Sequence, residues 1–405
     1  MKKTIWILNH YAGNNEVGLE YRHFLIAKEL KKQGYNVIII AASYTHLLNK
    51  PLDLNNDFEY RKYDGIDYIW IKTSFYEGNG ISRFKNMFLY SLKLQNLYKK
   101  FNICKPDYVL ASSPHPFVII NGFYISKYFK AKFIFEERDL WPMSIIELTS
   151  VSKYNPLVFI MQWLEDFAYK KADLIVSPLV NLKDNIVKRG INNYNFLFFP
   201  NGILIEDIDK LLSIKTNVDT SIFKHKLSVG FAGTVGASNC VDMLVYAAKE
   251  LKNHDIGFVI IGDGEFYNKL LDFSKQNNLK NVYLLGKKSK SETLQILQYC
   301  DVLYNAAPDK NLYKYGLSAI KLPEYMYLGK YIINAVNIKN DLVELANCGS
   351  TILPNQNELA SEMRKIFELS KKDLIDIGKK GKEYVINNLT YEKLVTNFIN
   401  SLEKL

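Results

Sequence analysis

The chain has 405 residues, 48% of them hydrophobic and 23% charged, which suits two folded domains of roughly 200 residues and argues against long disordered tracts. No apolar run approaches the ~18–20 residues that a bilayer span needs, and Met1 to Thr4 lead straight into a strand-like run without a cleavage site, so neither a membrane span nor a signal peptide is expected. The net charge of +10 is diffuse, with 26 Lys/Arg against 18 Asp/Glu in residues 1–200 and 26 against 24 in residues 201–405; with no nucleic-acid motif around it, an anionic membrane is the better partner and nucleic acid is not expected.

Thr4–Asn9 (TIWILN) is short, apolar and β-rich, as a buried parallel strand is. The loop His10–Glu20 carries Gly13 and Gly18. A helix pattern then covers Tyr21–Gln33, Gly34 stops it, and Val37–Ala42 is the next strand. Such βαβ units build a parallel sheet by right-handed crossovers, although the glycine spacing is not that of a dinucleotide fingerprint. Tyr68–Ile71 is another strand. In the helix Ile81–Phe101, Phe84, Met87, Phe88, Leu92, Leu97 and Phe101 mix with Arg83, Lys85, Lys93, Lys99 and Lys100. That pattern describes either a packed surface helix or a basic-aromatic helix lying on an anionic membrane.

Two further strands, Tyr108–Ala111 and Lys132–Phe135, end in Ser-Ser-Pro-His115 and in Glu136-Glu137-Arg138-Asp139-Leu-Trp-Pro142. Ligands of open parallel sheets sit beyond the carboxyl ends of strands. His115 and the Glu137/Arg138/Asp139 cluster fall there by position, so His115, Arg138 and Asp139 are the candidate catalytic residues. Structural ion pairing is the competing explanation for the cluster, and a lone histidine such as His115 is more often a satisfied polar residue than a catalyst.

In the second half, Ala172–Ser177 and Phe196–Gly202 are strands, and Glu206–His225 lacks strong periodicity, as an interdomain segment would. A new βαβ series follows. Leu227–Phe231 runs into a glycine turn, Ala232–Gly236, and a helix, Val241–Leu251. Gly257–Ile261 runs into Gly262-Asp263-Gly264-Glu265 and a helix to Phe273, and Asn281–Leu285 ends at Gly286-Lys287. The restart predicts two similar doubly wound domains with a cleft between them as the expected site. Cys104, Cys240, Cys300 and Cys348 are far apart and show no metal spacing. They suit buried thiols in a reducing cytoplasm, and no metal site is expected.

The most informative stretch is Tyr315–Lys330, YGLSAIKLPEYMYLGK, between the strand-like runs Asp301–Tyr304 and Tyr331–Ile333. Gly316 and Ser318 suit a turn entering a helix, where free N–H groups favour an anion. Lys321 adds a point charge for phosphate, and Glu324, one turn on, has the two acceptor oxygens that a ribose diol needs. Together they describe a nucleotide-diphosphate site; an ordinary β-turn-α unit with surface charges is the alternative.

Read together, these motifs resemble a known family. PNG at Pro200–Gly202, GTVG at Gly233–Gly236, IIGDGE at Ile260–Glu265, LLG at Leu284–Gly286 and S-x-x-K-x-x-E-Y-M at Ser318–Met326 occur in the order and spacing of retaining glycosyltransferase family 4. LNHYAG at Leu8–Gly13, ERDLWP at Glu137–Pro142 and YGLS at Tyr315–Ser318 are similar to the bacterial branch that builds O-antigen and capsule. The resemblance covers essentially the whole chain. It implies the GT-B fold: α/β, with two Rossmann-like doubly wound parallel-sheet domains facing across a cleft. The expected boundaries are residues 1–200, a linker 201–226 and residues 227–384, with a final helix at about 385–405 packing back on the first domain.

The resemblance also implies roles. Glu324 would hold the donor ribose, Gly316 to Lys321 the diphosphate, Gly233 and Thr234 would lie near the phosphates, and the backbone around Lys287 would read the base. Gly18 would face the donor from the other domain, and Arg138-Asp139 stand where relatives carry His-Asp beside the sugar. Three departures stand out: Gly316 replaces the first glutamate of E-x7-E, proline is displaced to Pro323, so that the helix is expected to begin near Leu322, and no Lys or Arg follows GTVG until Lys249.

The function expected is retaining, metal-independent hexosyl transfer from a nucleotide-diphosphate donor, taken as UDP-linked, to a lipid-linked glycan. No cofactor is expected, and the location is the inner face of the cytoplasmic membrane. The rivals are a sugar-nucleotide epimerase of the same architecture, which would turn over donor without acceptor, and a non-catalytic partner subunit of a polysaccharide assembly complex, which would bind no nucleotide.

Overall fold

The computed structural model describes every residue except 1, 19, 79, 102 and 150, and the side chain of Lys100 also lies outside the described residues. The chain forms two compact units, Met1–Pro200 with Tyr391–Leu405, and Asn201–Thr390.

Among the described residues, the first unit has an eight-stranded sheet of β1 (Thr4–Leu8), β2 (Asn36–Ala42), β3 (Phe58–Tyr63), β4 (Ile66–Ile71), β5 (Tyr108–Ser112), β6 (Lys132–Glu136), β7 (Leu174–Ser177) and β8 (Phe196–Phe198). The order is β3-β4-β2-β1-β5-β6-β7-β8, parallel except for β3. β1, β5 and β7 are buried along their whole length, as expected when helices cover both sheet faces. The hairpin β3–β4 was not expected. It turns on Asp64 and Gly65 with φ of +44° and +80°, the left-handed pair that a two-residue hairpin requires. The helix Arg22–Lys32 buries Phe24, Ile26, Ala27 and Leu30 and stops at Gly34, at φ +95°. The closing helix Tyr391–Leu402 packs on it, Phe398 stacking on Phe199 at 5.5 Å.

The second unit has a six-stranded parallel sheet of β9 (Leu227–Ala232), β10 (Ile256–Ile261), β11 (Val282–Leu284), β12 (Val302–Ala306), β13 (Tyr331–Ala335) and β14 (Gly349–Ile352). Its order is β11-β10-β9-β12-β13-β14, so the winding reverses between β9 and β12. One core joins Val229, Phe231, Phe258 and Ile260 of the sheet to Leu244 and Val245 of the helix Val241–Glu250 and to Met363 of the helix Gln356–Phe367.

The segment expected to be a linker belongs to this unit. It carries a helix, Ile205–Ser213, in which Asp209 accepts a hydrogen bond from Tyr327 at 2.8 Å and the Leu211 carbonyl accepts one from Ser291 at 2.6 Å. Its period was hidden because a polar extended stretch follows within the same window.

Candidate functional site

In a doubly wound sheet the crevice opens beyond the carboxyl ends of the strands flanking the winding reversal. In the second unit a cavity of about 690 Å³, within the usual range for small-molecule sites, lies beyond the carboxyl ends of β9 and β10, next to that reversal. Its floor is two back-to-back glycine turns. Gly233 follows β9 at φ +147°, and Gly262 and Gly264 follow β10 at +136° and +155°. Gly233 N–H donates to the Ile261 carbonyl at 3.0 Å, and a Cβ on Gly262 would lie 1.9 Å from the Gly233 carbonyl oxygen. Only glycine permits that approach and that backbone together.

The third wall is the helix Lys321–Tyr327. Pro323 sits in its first turn, where a proline costs no helical hydrogen bond, so the helix starts one residue before the expected Leu322. Its N-cap is Ile320 without a side-chain cap, so Ser318 does not cap it. Ser318 instead accepts from Asn201 Nδ2 at 3.0 Å through Oγ and 3.2 Å through its carbonyl. Tyr325 pins the helix to the end of β9, accepting from Ala232 N–H at 2.7 Å and donating to the Ala232 carbonyl at 3.0 Å.

Lys321 and Glu324 of this helix line the cavity with Gly233, Thr234 and Lys287; Gly316 and Ser318 are not on its lining. Gly316 is buried at φ +131°, a backbone that L side chains rarely adopt, so a glutamate at this position would be strained in this chain path. Four lysines, Lys287, Lys288, Lys290 and Lys321, face two carboxylates, Asp263 and Glu324, on the lining. Lys290 reaches across to pair with Glu324.

Lys321 is the most perturbed group of the site. Its Nζ donates to Asn239 Oδ1 at 2.7 Å and lies 4.5 Å from the Phe231 ring centroid. Burial pushes its pKa down to about 7, because neither the amide nor the ring supplies a full negative charge. A diphosphate would supply it and return the amine to its cationic form. Asn239 also donates from Nδ2 to the Thr234 carbonyl at 3.0 Å, so one side chain sets both the lysine and the glycine turn. Asn239 and Lys290 were absent from the sequence-based candidates.

The first unit gathers its charged groups at the carboxyl end of β6. Glu136, fully buried, meets His23 Nε2 at 2.6 Å, Arg22 Nε at 3.2 Å and Ser112 Oγ at 2.7 Å. Burial opposes its charge, but His23 and Arg22 hold the carboxyl well below its usual range. Arg138 pairs with Glu20 at 3.0 Å, and against its own burial Glu20 is held down to about 2 by Arg138 and His23. Glu137 points the other way, into the unit, where burial and Glu165 push its carboxyl up. The Asp139 side chain is exposed, and its N–H and that of Arg138 both point at Ser113 Oγ, at 3.4 and 2.8 Å.

His115 requires a correction. It is fully buried, accepts from Val118 N–H through Nδ1 at 3.2 Å and donates from Nε2 to the Met87 carbonyl at 2.9 Å. Both nitrogens are used inside the unit, and burial pushes its pKa down to about 4. It is a structural residue. Gly18 is buried against Gly13 and Leu48, where a Cβ would stand 3.1 Å from the Gly13 Cα, so its local need is close backbone packing.

Comparisons with known proteins agree with this geometry. Residues 215–384 match the family model described as Glycosyl transferases group 1. An uncharacterized glycosyltransferase of Methanocaldococcus jannaschii is 22% identical over 327 residues, covering 78% of this chain and 80% of its own. Sucrose-phosphate synthase of Thermosynechococcus elongatus is similar over 100% of this chain and 99% of its own, at a TM-score of 0.71 and 13% identity. The Anabaena protein HepE, solved in complex with UDP, is similar over 100% of both chains at a TM-score of 0.64 and 13% identity. The chain, built of two parallel-sheet α/β units with the GT-B fold, is a glycosyltransferase whose residues 215–384 match the Glycosyl transferases group 1 model.

Proposed function

We propose that the chain is a retaining glycosyltransferase that moves a hexose-type sugar from a UDP-linked donor to a lipid-linked glycan in bacterial surface-polysaccharide synthesis, at the inner face of the cytoplasmic membrane. The observation that carries the donor part is the meeting of Lys321, Glu324 and two glycine turns on one cavity. The glycine turns bring backbone close to the diphosphate, Lys321 answers its charge, and Glu324 exchanges its pairing with Lys290 for the ribose hydroxyls. The UDP bound by HepE supports uridine as the base.

As the anomeric C–O bond breaks, negative charge grows on the leaving diphosphate. Lys321, helped by Lys287 or Lys288, stabilises it in place of a divalent metal. The acceptor oxygen attacks from the side the diphosphate leaves, so no enzyme nucleophile is needed. Asp139 positions the acceptor or takes its proton, and Arg138 holds that segment in place. Gly18 contacts the donor through backbone.

The test is calorimetric titration of the full chain with UDP, GDP and UDP-sugars, followed by transfer assays with and without EDTA. The expected result is selective binding of a uridine diphosphate and EDTA-resistant transfer. Failure to bind any nucleoside diphosphate would sink the donor assignment, and turnover without acceptor would replace transfer by epimerisation.

A further inference from the structure

Three helices of the first unit, Ile81–Lys100, Val118–Phe129 and Pro156–Lys171, lie side by side, the middle one touching both others. Where neighbouring helices meet they pack ring on ring, Phe123 on Phe167 at 5.0 Å and Tyr98 on Tyr128 at 4.6 Å. Their outward faces also carry large apolar side chains, at the i, i+4 spacing that puts residues on one side of a helix: Phe88 and Leu92, Tyr124 and Tyr128, Phe159 and Trp163. These six are between 45% and 64% exposed. Scattered apolar residues are normal on a surface, but ridges of them on three adjacent helices mark an interaction face.

The charge on this face selects the partner. The helices Ile81–Lys100 and Val118–Phe129 contain no acidic residue. On the third, Glu165 is buried and Asp166 is held by Arg189 at 2.6 Å. Lys85, Lys127, Lys130 and Lys170 are exposed around the ridges. A second copy of the chain would set this face against itself and bring lysines against lysines. An anionic lipid surface answers both features, because tryptophan and tyrosine favour the headgroup level and lysines favour lipid phosphates.

We propose that this three-helix face docks on an anionic bilayer, with Phe159 and Trp163 entering the headgroup region and Lys127, Lys130 and Lys170 meeting lipid phosphates. It rests on the lipid-linked acceptor reading above, and it relocates the contact expected from the helix 81–101 alone. Of that helix's cations, Arg83 is bound to the Tyr11 hydroxyl at 2.7 Å and Lys93 to Asp57 at 2.6 Å, so they serve the unit's own packing.

The test is co-sedimentation of the full chain with vesicles of phosphatidylglycerol and phosphatidylcholine, against phosphatidylcholine alone. The expected result is binding to the anionic vesicles only, weakened by salt and accompanied by a blue shift of emission that Trp163→Phe removes. Phe159→Ser with Trp163→Ser, and separately Lys127→Glu with Lys130→Glu, should each lower partitioning about tenfold or more while melting temperature and UDP affinity stay unchanged. Equal binding to neutral vesicles, no binding, or a concentration-dependent dimer abolished by the same variants would each overturn the proposal. Because UDP binding is measured separately, its failure would remove the donor reading without touching this result.

Discussion

The two units each gather charge at the carboxyl end of a central strand, and they treat it in opposite ways. In the first, Glu136 and Glu20 are answered at contact distance by Arg22, His23 and Arg138. In the second, four lysines share two carboxylates, and Lys321 rests on a neutral amide and a ring. A neutralised cluster is architecture, holding β6 to the helix Arg22–Lys32 and, through Arg22, to the carbonyls of Phe199 and Pro200. An under-neutralised one waits for an anion. On the function proposed above, the first cluster serves stability and the second serves ligand binding.

The sharpest break of that contrast is Glu136→Gln. Removing one partner from a buried ion pair costs about 3–5 kcal/mol. The first unit's calorimetric transition should fall by roughly 10 °C, with UDP affinity unchanged once the protein is folded. Next is Lys321→Met, which removes one charged hydrogen bond to phosphate, about 2 kcal/mol or roughly 30-fold in UDP affinity by titration calorimetry. It should not lower the melting temperature, because it also removes a half-buried amine. Smaller again is Asn239→Ala, at about 1 kcal/mol, because the lysine remains but loses its anchor; nucleoside binding should be unaffected. A result with the signs exchanged, Lys321→Met unfolding the protein and Glu136→Gln abolishing binding, would reverse the two assignments.

The pH dependence follows from the same contrast. Below about pH 7 the Lys321 amine already carries its proton, and the lysine adds no further pH dependence to UDP affinity. Above it, each binding event must take up a proton, so affinity should fall as pH rises, by up to about tenfold per unit, until the raised pKa of the bound state is passed.

Features built from one continuous stretch were legible in the sequence. The glycine turns at Gly233 and Gly262 announce backbone that must bend left or touch other backbone, and the spacing of Lys321 and Glu324 puts both on one short helix. Residues that act from afar were not. Asn239 meets Lys321 from 82 positions away and Lys290 meets Glu324 from 34, distances that no local pattern encodes. For His115 the sequence left both a catalytic and a structural reading open, because a strand-end position does not say which way a ring points. The ion-pair alternative for the Glu136–Asp139 run describes Glu136 and Arg138, whereas Asp139 alone of the run stays exposed. The helix 81–101 was legible as basic and aromatic, but not its two neighbours, whose outward ridges show only once the packed faces are known.

The most direct test of the account is the proton balance of UDP binding, measured by calorimetry at pH 8 in two buffers of different ionisation enthalpy. The account predicts uptake of about one proton per UDP by the native chain and almost none by Lys321→Met. No uptake by the native chain, or equal uptake by the variant, would contradict it.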